Sequence, residues 1–374
     1  MKRILSYGLV YFLFLTFPVN AFALLGFDFD IKGSMSTGYD DNVTLANENR
    51  KSDSVTKLSA GIGAKQEGKT HDLNIEGIFT QYLFANHSSF NNNSQNVNVD
   101  FKKTLSKHDR LAITDRFVHA EDPESFEDSF GRTSGRYSYY QNILDTKYIR
   151  DISKNVSLES HYGNEIYSSS RKDVDDSSVL HRVGADAVYI HSSAMAFLLG
   201  YDFATIHAED NGRADVHTVS TGIRHFLTKQ LYLDGRAGVS FVDSFDGRNT
   251  SEPNIAVTLT NDFNKTDSAN LSYRKTSMPS SDTADIWDSW QVAMNLSRQL
   301  LERLRGSVSV FFGKGEYEAL SIKDTQTGVR TQLSYDVREN VTVFLSYTYS
   351  EVDSNLATRS YNRNMVDVGV KIAF

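Results

Sequence analysis

Apolar and polar residues alternate with a period of two along most of this chain. In the last stretch Val366, Val368, Val370, Ile372 and Phe374 share one parity, and Asp367, Gly369, Lys371 and Ala373 share the other. Val341, Val343, Leu345, Tyr347 and Tyr349 alternate with Thr342, Phe344, Ser346 and Thr348. Leu58, Ala60, Ile62 and Ala64 alternate with Lys57, Ser59, Gly61, Gly63 and Lys65. A period of two places successive side chains on opposite faces of a strand, so each segment has one apolar and one polar face. About eighteen such segments occur, each roughly 10 to 14 residues long, with sixteen as the alternative count. Most soluble strands have about five or six residues, whereas a tilted strand that crosses a bilayer needs about 9 to 11. The pattern therefore predicts an all-β fold, a transmembrane antiparallel β-barrel of the bacterial outer membrane. A soluble solenoid would repeat a fixed unit, and these segments share a rhythm but no common sequence.

The connections support this reading. Short ones, such as Gly68–His71, Ser106–Asp109 and Asn264–Asp267, alternate with long ones, such as Asp40–Ser54, Glu121–Arg136, Ser169–Ser177 and Asp353–Asn362. Outer-membrane barrels have short periplasmic turns and longer outer loops. An even strand number puts both termini on the periplasmic side. Tyr39, Tyr140, Phe241, Trp290 and Tyr349 then fall near the outer rim, and Tyr148, Tyr189, Phe263 and Phe374 near the inner one, as two aromatic girdles. One stretch departs from the rhythm. Asn295–Arg305 has Leu296, Leu300 and Leu304 at helical spacing. A lone helix of this length is marginal, so a strand end, a turn at Glu302-Arg303 and a new strand are expected.

The first residues have a different character. Lys2 and Arg3 precede an apolar run from Ile4 to Phe17, and Ala21-Phe22-Ala23 is a small-x-small cleavage signal. Residues 1–23 are expected to be a secretory signal peptide, and 24–374 the barrel. Composition narrows the class further. Four prolines among 374 residues, with 23 glycines, 23 phenylalanines and 19 tyrosines, suit a large regular β protein. The absence of cysteine excludes disulfides and thiolate metal sites. The net charge of −8, with no basic stripe, argues against nucleic acid as a partner.

If the apolar parity faces lipid, the other parity faces the interior. That register turns Lys57, Lys65, Glu76, Lys102, Arg116, Arg182, Asp186, Arg224, Asp234, Arg236, Arg330 and Asp367 inward as candidate pore-lining residues. Their signs nearly balance, which does not favour strong ion selectivity by charged rings. A barrel of 16 to 18 strands is wide enough for an aqueous lumen. Phe311, Phe344, Tyr82 and Tyr232 also point inward, as space-fillers or as platforms for sugar rings. The third outer loop is the longest and is charge-segregated. Glu121, Asp122, Glu124, Glu127 and Asp128 are followed by Arg132 and Arg136. In many general porins the third loop folds inward and narrows the pore, so these seven residues are candidates for a constriction. Their spacing is not that of a calcium loop. There is no Gly-x-Ser-x-Gly, His-Glu-x-x-His or phosphate-loop motif, so no enzyme, cofactor or metal site is expected.

Two stretches resemble known proteins. The last strand, ending at Phe374, is similar to the C-terminal signal read by the outer-membrane assembly machinery. Gly33–Ala46, and within it Tyr39-Asp40-Asp41-Asn42-Val43, resembles the opening of a family of outer-membrane beta-barrel porins often associated with exopolysaccharide export loci. The resemblance implies a barrel passing or secreting a hydrophilic solute, with an exopolysaccharide as the leading candidate. A general diffusion porin for small polar solutes is the alternative, and a closed structural or binding barrel of the cell envelope the third. The partners implied are the lipid bilayer and lipopolysaccharide, the assembly machinery, and a polysaccharide with its periplasmic export proteins.

Overall fold

The computed structural model describes residues 26–123, 125–132, 135–171 and 176–374. The expected signal peptide lies outside these residues. Eighteen strands follow in order: β1 (Asp28–Asp40), β2 (Asp53–Glu67), β3 (His71–Phe84), β4 (Asn92–Thr104), β5 (Asp109–Ala120) and β6 (Tyr139–Asp151). Next come β7 (Val156–Ser169), β8 (Ser178–Ser192), β9 (Met195–Ala208), β10 (Gly212–Phe226), β11 (Leu231–Asp243) and β12 (Asn249–Asp262). The last six are β13 (Ser268–Pro279), β14 (Ile286–Leu301), β15 (Leu304–Tyr317), β16 (Ile322–Arg338), β17 (Val341–Ser354) and β18 (Tyr361–Ala373). Every strand pairs antiparallel with its sequence neighbours, and β1 pairs with β18 as well as β2, which closes the sheet. Closure matters because lipid offers no hydrogen bonds to an open edge. It is completed outside the strand itself. Phe374 N donates to the Ile31 carbonyl (2.9 Å), and Ile31 N donates to the Phe374 carbonyl (3.0 Å).

The strands run from 12 to 17 residues, longer at the upper end than the alternation alone suggests. The ladder continues past the apolar belt because polar residues near the loops still pair. At one end of the barrel the connections are two to five residues long, and at the other they reach eighteen, in the loop 121–138. Asn295–Arg305 is not helical. β14 ends at Leu301, Glu302-Arg303 turns, and β15 begins at Leu304. A register shift between Gln299 and Leu301 accounts for the irregular leucine spacing.

The two faces differ as the alternation requires. Ile31, Met35, Leu58, Ile62, Val366 and Val368 are exposed on the outer surface. Tyr39, Tyr140 and Phe241 stand near the long-loop rim, and Tyr189, Phe263 and Phe374 near the short-turn rim, all exposed. Among the described residues no helix is long and apolar enough to cross a membrane. Nearly all fully buried side chains sit at the long-loop end of the interior. Val43, Ile286, Phe311, Tyr317 and Gln326 are each 1% exposed or less.

Candidate functional site

The inner wall is recognised by ion pairs that skip strands. On a curved sheet only the concave face brings side chains of non-adjacent strands together. Lys57 on β2 reaches Asp367 on β18 across β1 (2.9 Å). Lys32 on β1 reaches Glu76 on β3 (2.6 Å). Arg224 on β10 grips both carboxylate oxygens of Glu159 on β7 (2.7 and 2.9 Å) and also bonds Asp234 (3.2 Å). Arg236 on β11 forks onto Asp186 on β8 (2.9 Å to each oxygen). Arg116 holds Asp128 (2.9 Å). Lys65 and Lys102 lie toward the short-turn end, Lys65 against Glu67 (2.5 Å). Arg182 is exposed on the inward row of β8. All twelve pore-lining candidates thus stand on the inward parity. Paired, hydrogen-bonded charges of this kind line a polar interior without leaving buried charge uncompensated.

The loop 121–138 does not stay at the rim. It crosses the barrel from β5 and β6 to β14–β16, on the opposite side of the ring. A single helical turn, α1 (Phe126–Ser129), is capped by Ser125, whose Oγ accepts from Asp128 N (3.0 Å). Glu127 and Asp128 in that first turn suit the positive end of the turn. Phe126 packs with Ala293 and Phe311, and Phe130 meets Phe311 and Trp287 edge-on, with centroids 5.4 Å away in each case. The far wall is cut to receive them. A side chain at Gly328 would meet the Phe126 ring at 2.5 Å. Gln326 Nε2 donates to the Phe126 carbonyl (2.9 Å) and to Ser129 Oγ (2.7 Å). Gly131 has φ of +82°, open to glycine but strained for other residues, and a side chain there would strike Trp287 at 2.8 Å. Its carbonyl accepts from the Tyr317 hydroxyl and from Arg359 Nη2 (3.1 Å).

Arg359 is the second anchor. Its Nη2 also donates to Asp324 (2.6 Å) and to the Arg132 carbonyl (3.2 Å). The third anchor is Arg363, shared between Asp40 on β1 (2.5 Å) and Asp122 in the loop (3.2 Å). Burial works to raise the Asp122 carboxyl, but Arg363 and Arg136 outweigh it and hold it below its ordinary range. On either side of the crossing loop lies a cleft. One, of about 300 Å³, is lined by Lys57, Tyr82, Asp122, Arg330, Arg363 and Asp367. The other, of about 230 Å³, is lined by Arg132, Glu165, Tyr167, Asp282, Trp287 and Tyr317.

Among the expected constriction residues the structure separates two kinds. Glu127 is exposed on the loop and lies within electrostatic reach of Arg330, whose guanidinium sits 5.5 Å from the Phe126 ring. Asp122 and Asp128 are ion-paired to the wall. Arg132 and Arg136, the two basic candidates for the constriction, are engaged close to the loop's own base. Arg132 stacks on Tyr167 (4.1 Å). Arg136 is spent on Glu121 (2.8 Å), the Val43 carbonyl (2.9 Å) and the Phe84 ring (4.6 Å). Both tie the loop down. Glu124 lies outside the described residues. Phe311 is covered by Phe126 and Phe130, so it is no platform for a sugar ring. Reading the sequence missed Gln326, Tyr317, Gly328, Arg359 and the Asp40–Arg363 pair. One signal was present: Gly313, Gly315 and Gly328 all fall on the inward parity of neighbouring strands, which marks a wall hollowed for another element.

The model of the family described as "Putative beta-barrel porin 2" matches residues 286–374, the stretch from the start of β14 to the chain end. No curated protein matches the sequence. Among solved structures, OccK1 (OpdK) of Pseudomonas aeruginosa is 10% identical, with 93% of this chain and 99% of that chain covered and a TM-score of 0.48. OccAB3 of Acinetobacter baumannii is also 10% identical, with 93% and 100% covered and a TM-score of 0.46. The ferric-catecholate import receptor Fiu of E. coli K12 is 9% identical, with 93% and 82% covered and a TM-score of 0.46. A closed antiparallel barrel with this apolar outer face, together with the family match, points to the Gram-negative outer membrane.

Proposed function

We propose that the protein is a non-enzymatic diffusion channel for small polar solutes across the Gram-negative outer membrane. The observation that carries this reading is the crossing loop. Held by Phe126, Gly131, Arg359 and Arg363, it divides a polar lumen into two clefts of a few hundred Å³ instead of leaving one wide passage. Narrow clefts lined by charges favour compact hydrophilic solutes. This weighs against the exopolysaccharide that the family resemblance implies, because a polymer strand would have to thread beside a loop anchored at three points. The eighteen-strand ring supplies the width that smaller barrels lack.

The test is conductance. The purified, folded barrel in planar bilayers should give discrete current steps. Folded protein that inserts without conducting would replace the channel with the closed envelope barrel. Liposome swelling then separates the solutes: monosaccharides and small acids should enter faster than oligosaccharides of more than a few rings.

A further inference from the structure

A second feature lies at the other end of the lumen. On the inward face of β4, β5 and β6 one row of the sheet reads Lys102, Ala112, Lys147, each the register partner of the next. Ala112 is a gap between two long cationic side chains. Below it stands Arg110, and beside it the β2–β3 turn brings Lys69. Together they bound a cleft of about 330 Å³ at the short-turn mouth. Its lining has five Lys and Arg residues, of which Lys103 stands on the outward parity, and one carboxylate, Asp72, in a chain whose net charge is −8. Lys147 pairs with Glu159 (2.7 Å) and Arg110 with Asp151 (2.8 Å). Lys69 and Lys102 are exposed, and their ammonium groups make no ion pair or hydrogen bond among the described residues. Two paired cations and two unspent ones around a small floor suit an anionic group, because phosphate and carboxylate oxygens take charge-assisted hydrogen bonds from such donors.

We infer that this mouth binds the phosphate or carboxylate of a small soluble anion, with Ala112 as floor and Lys102 as the principal contact. The inference names the solute class of the proposed channel and in that respect rests on it. Lys102 and Lys147 point into the lumen, which selects a dissolved solute over a phospholipid headgroup.

The experiment is calorimetric binding of glucose 6-phosphate to the folded barrel in maltoside micelles, which needs no conductance and so fails independently of the channel. Saturable binding is expected, with glucose itself silent. Lys102→Gln should weaken it about tenfold, the usual worth of one charge-assisted hydrogen bond. Ala112→Leu, which fills the floor and leaves every charge in place, should abolish it. Lys154→Gln, an exposed charge in the β6–β7 turn, should change nothing. The absence of saturable binding would overturn the proposal. So would a loss in Lys154→Gln equal to that in Lys102→Gln, or undiminished binding in Ala112→Leu. Displacement by phosphatidylglycerol doped into the micelles would reassign the site to lipid and overturn it too.

Discussion

Phe126 and Gly328 touch across the barrel, about two hundred residues apart in the chain, with no room for a side chain between the ring and the β16 backbone. The contact turns a surface loop into a partition of the lumen. Gly328→Leu should therefore lift the loop while leaving the ladder intact, since the leucine can occupy the space Phe126 vacates. Larger current steps and new protease sensitivity within 121–138 are expected, at unchanged electrophoretic heat-modifiability. Unchanged conductance would show that the loop does not limit flow.

Arg359 presents a sharper case. It is buried, and its fork serves Asp324, Gly131 and Arg132 together. Arg359→Ala leaves the Asp324 carboxylate buried without its cation, a loss of about 3–5 kcal/mol for pairs of this kind. Restoring stability with Arg359→Ala combined with Asp324→Asn would identify the lost pair as the cause. Thermal unfolding of the two variants measures it.

Acid should undock the loop, and only strong acid. Asp122 is held below its ordinary 3.8 by Arg363 and Arg136 against the contrary effect of burial. A carboxyl lower in the docked state than in the free loop contributes stability above pH ~4, which is lost as pH falls through the docked value. Trp287 packs on Phe130, and Trp290 lies on the outer face. A Trp290→Phe variant thus makes Trp287 fluorescence a reporter of docking. The signal should stay flat from pH 8 to about 5 and shift below 4. A transition near pH 6 would contradict the role given to Asp122.

Deleting Phe374 removes two backbone hydrogen bonds to Ile31 as well as the exposed ring. Assembly yield should fall, while the fraction that does fold should conduct normally, since the outward ring touches no lumen residue. Phe374→Ala keeps the hydrogen bonds and separates ring from backbone. Equal yields for the deletion and the intact chain would reduce Phe374 to a girdle residue.

The barrel was legible in the chain because lipid and water impose their demands strand by strand. Each of Val366, Val368 and Val370 must meet acyl chains wherever the rest of the protein lies, so period, strand number and the inward parity of Lys57, Glu76 and Asp367 follow from local pattern. The length and charge of the loop 121–138 were legible too. Its destination was not. Phe126 finds Gly328, Arg359 finds Gly131, and Arg363 finds Asp122 only after β18 has paired with β1 and brought distant strands around a common interior. The same closure spends Arg132 and Arg136 on holding the loop down, although in the sequence they read as candidates for a constriction. Alternation is a property of neighbours in the chain; the partition of the lumen is a property of neighbours in the closed ring.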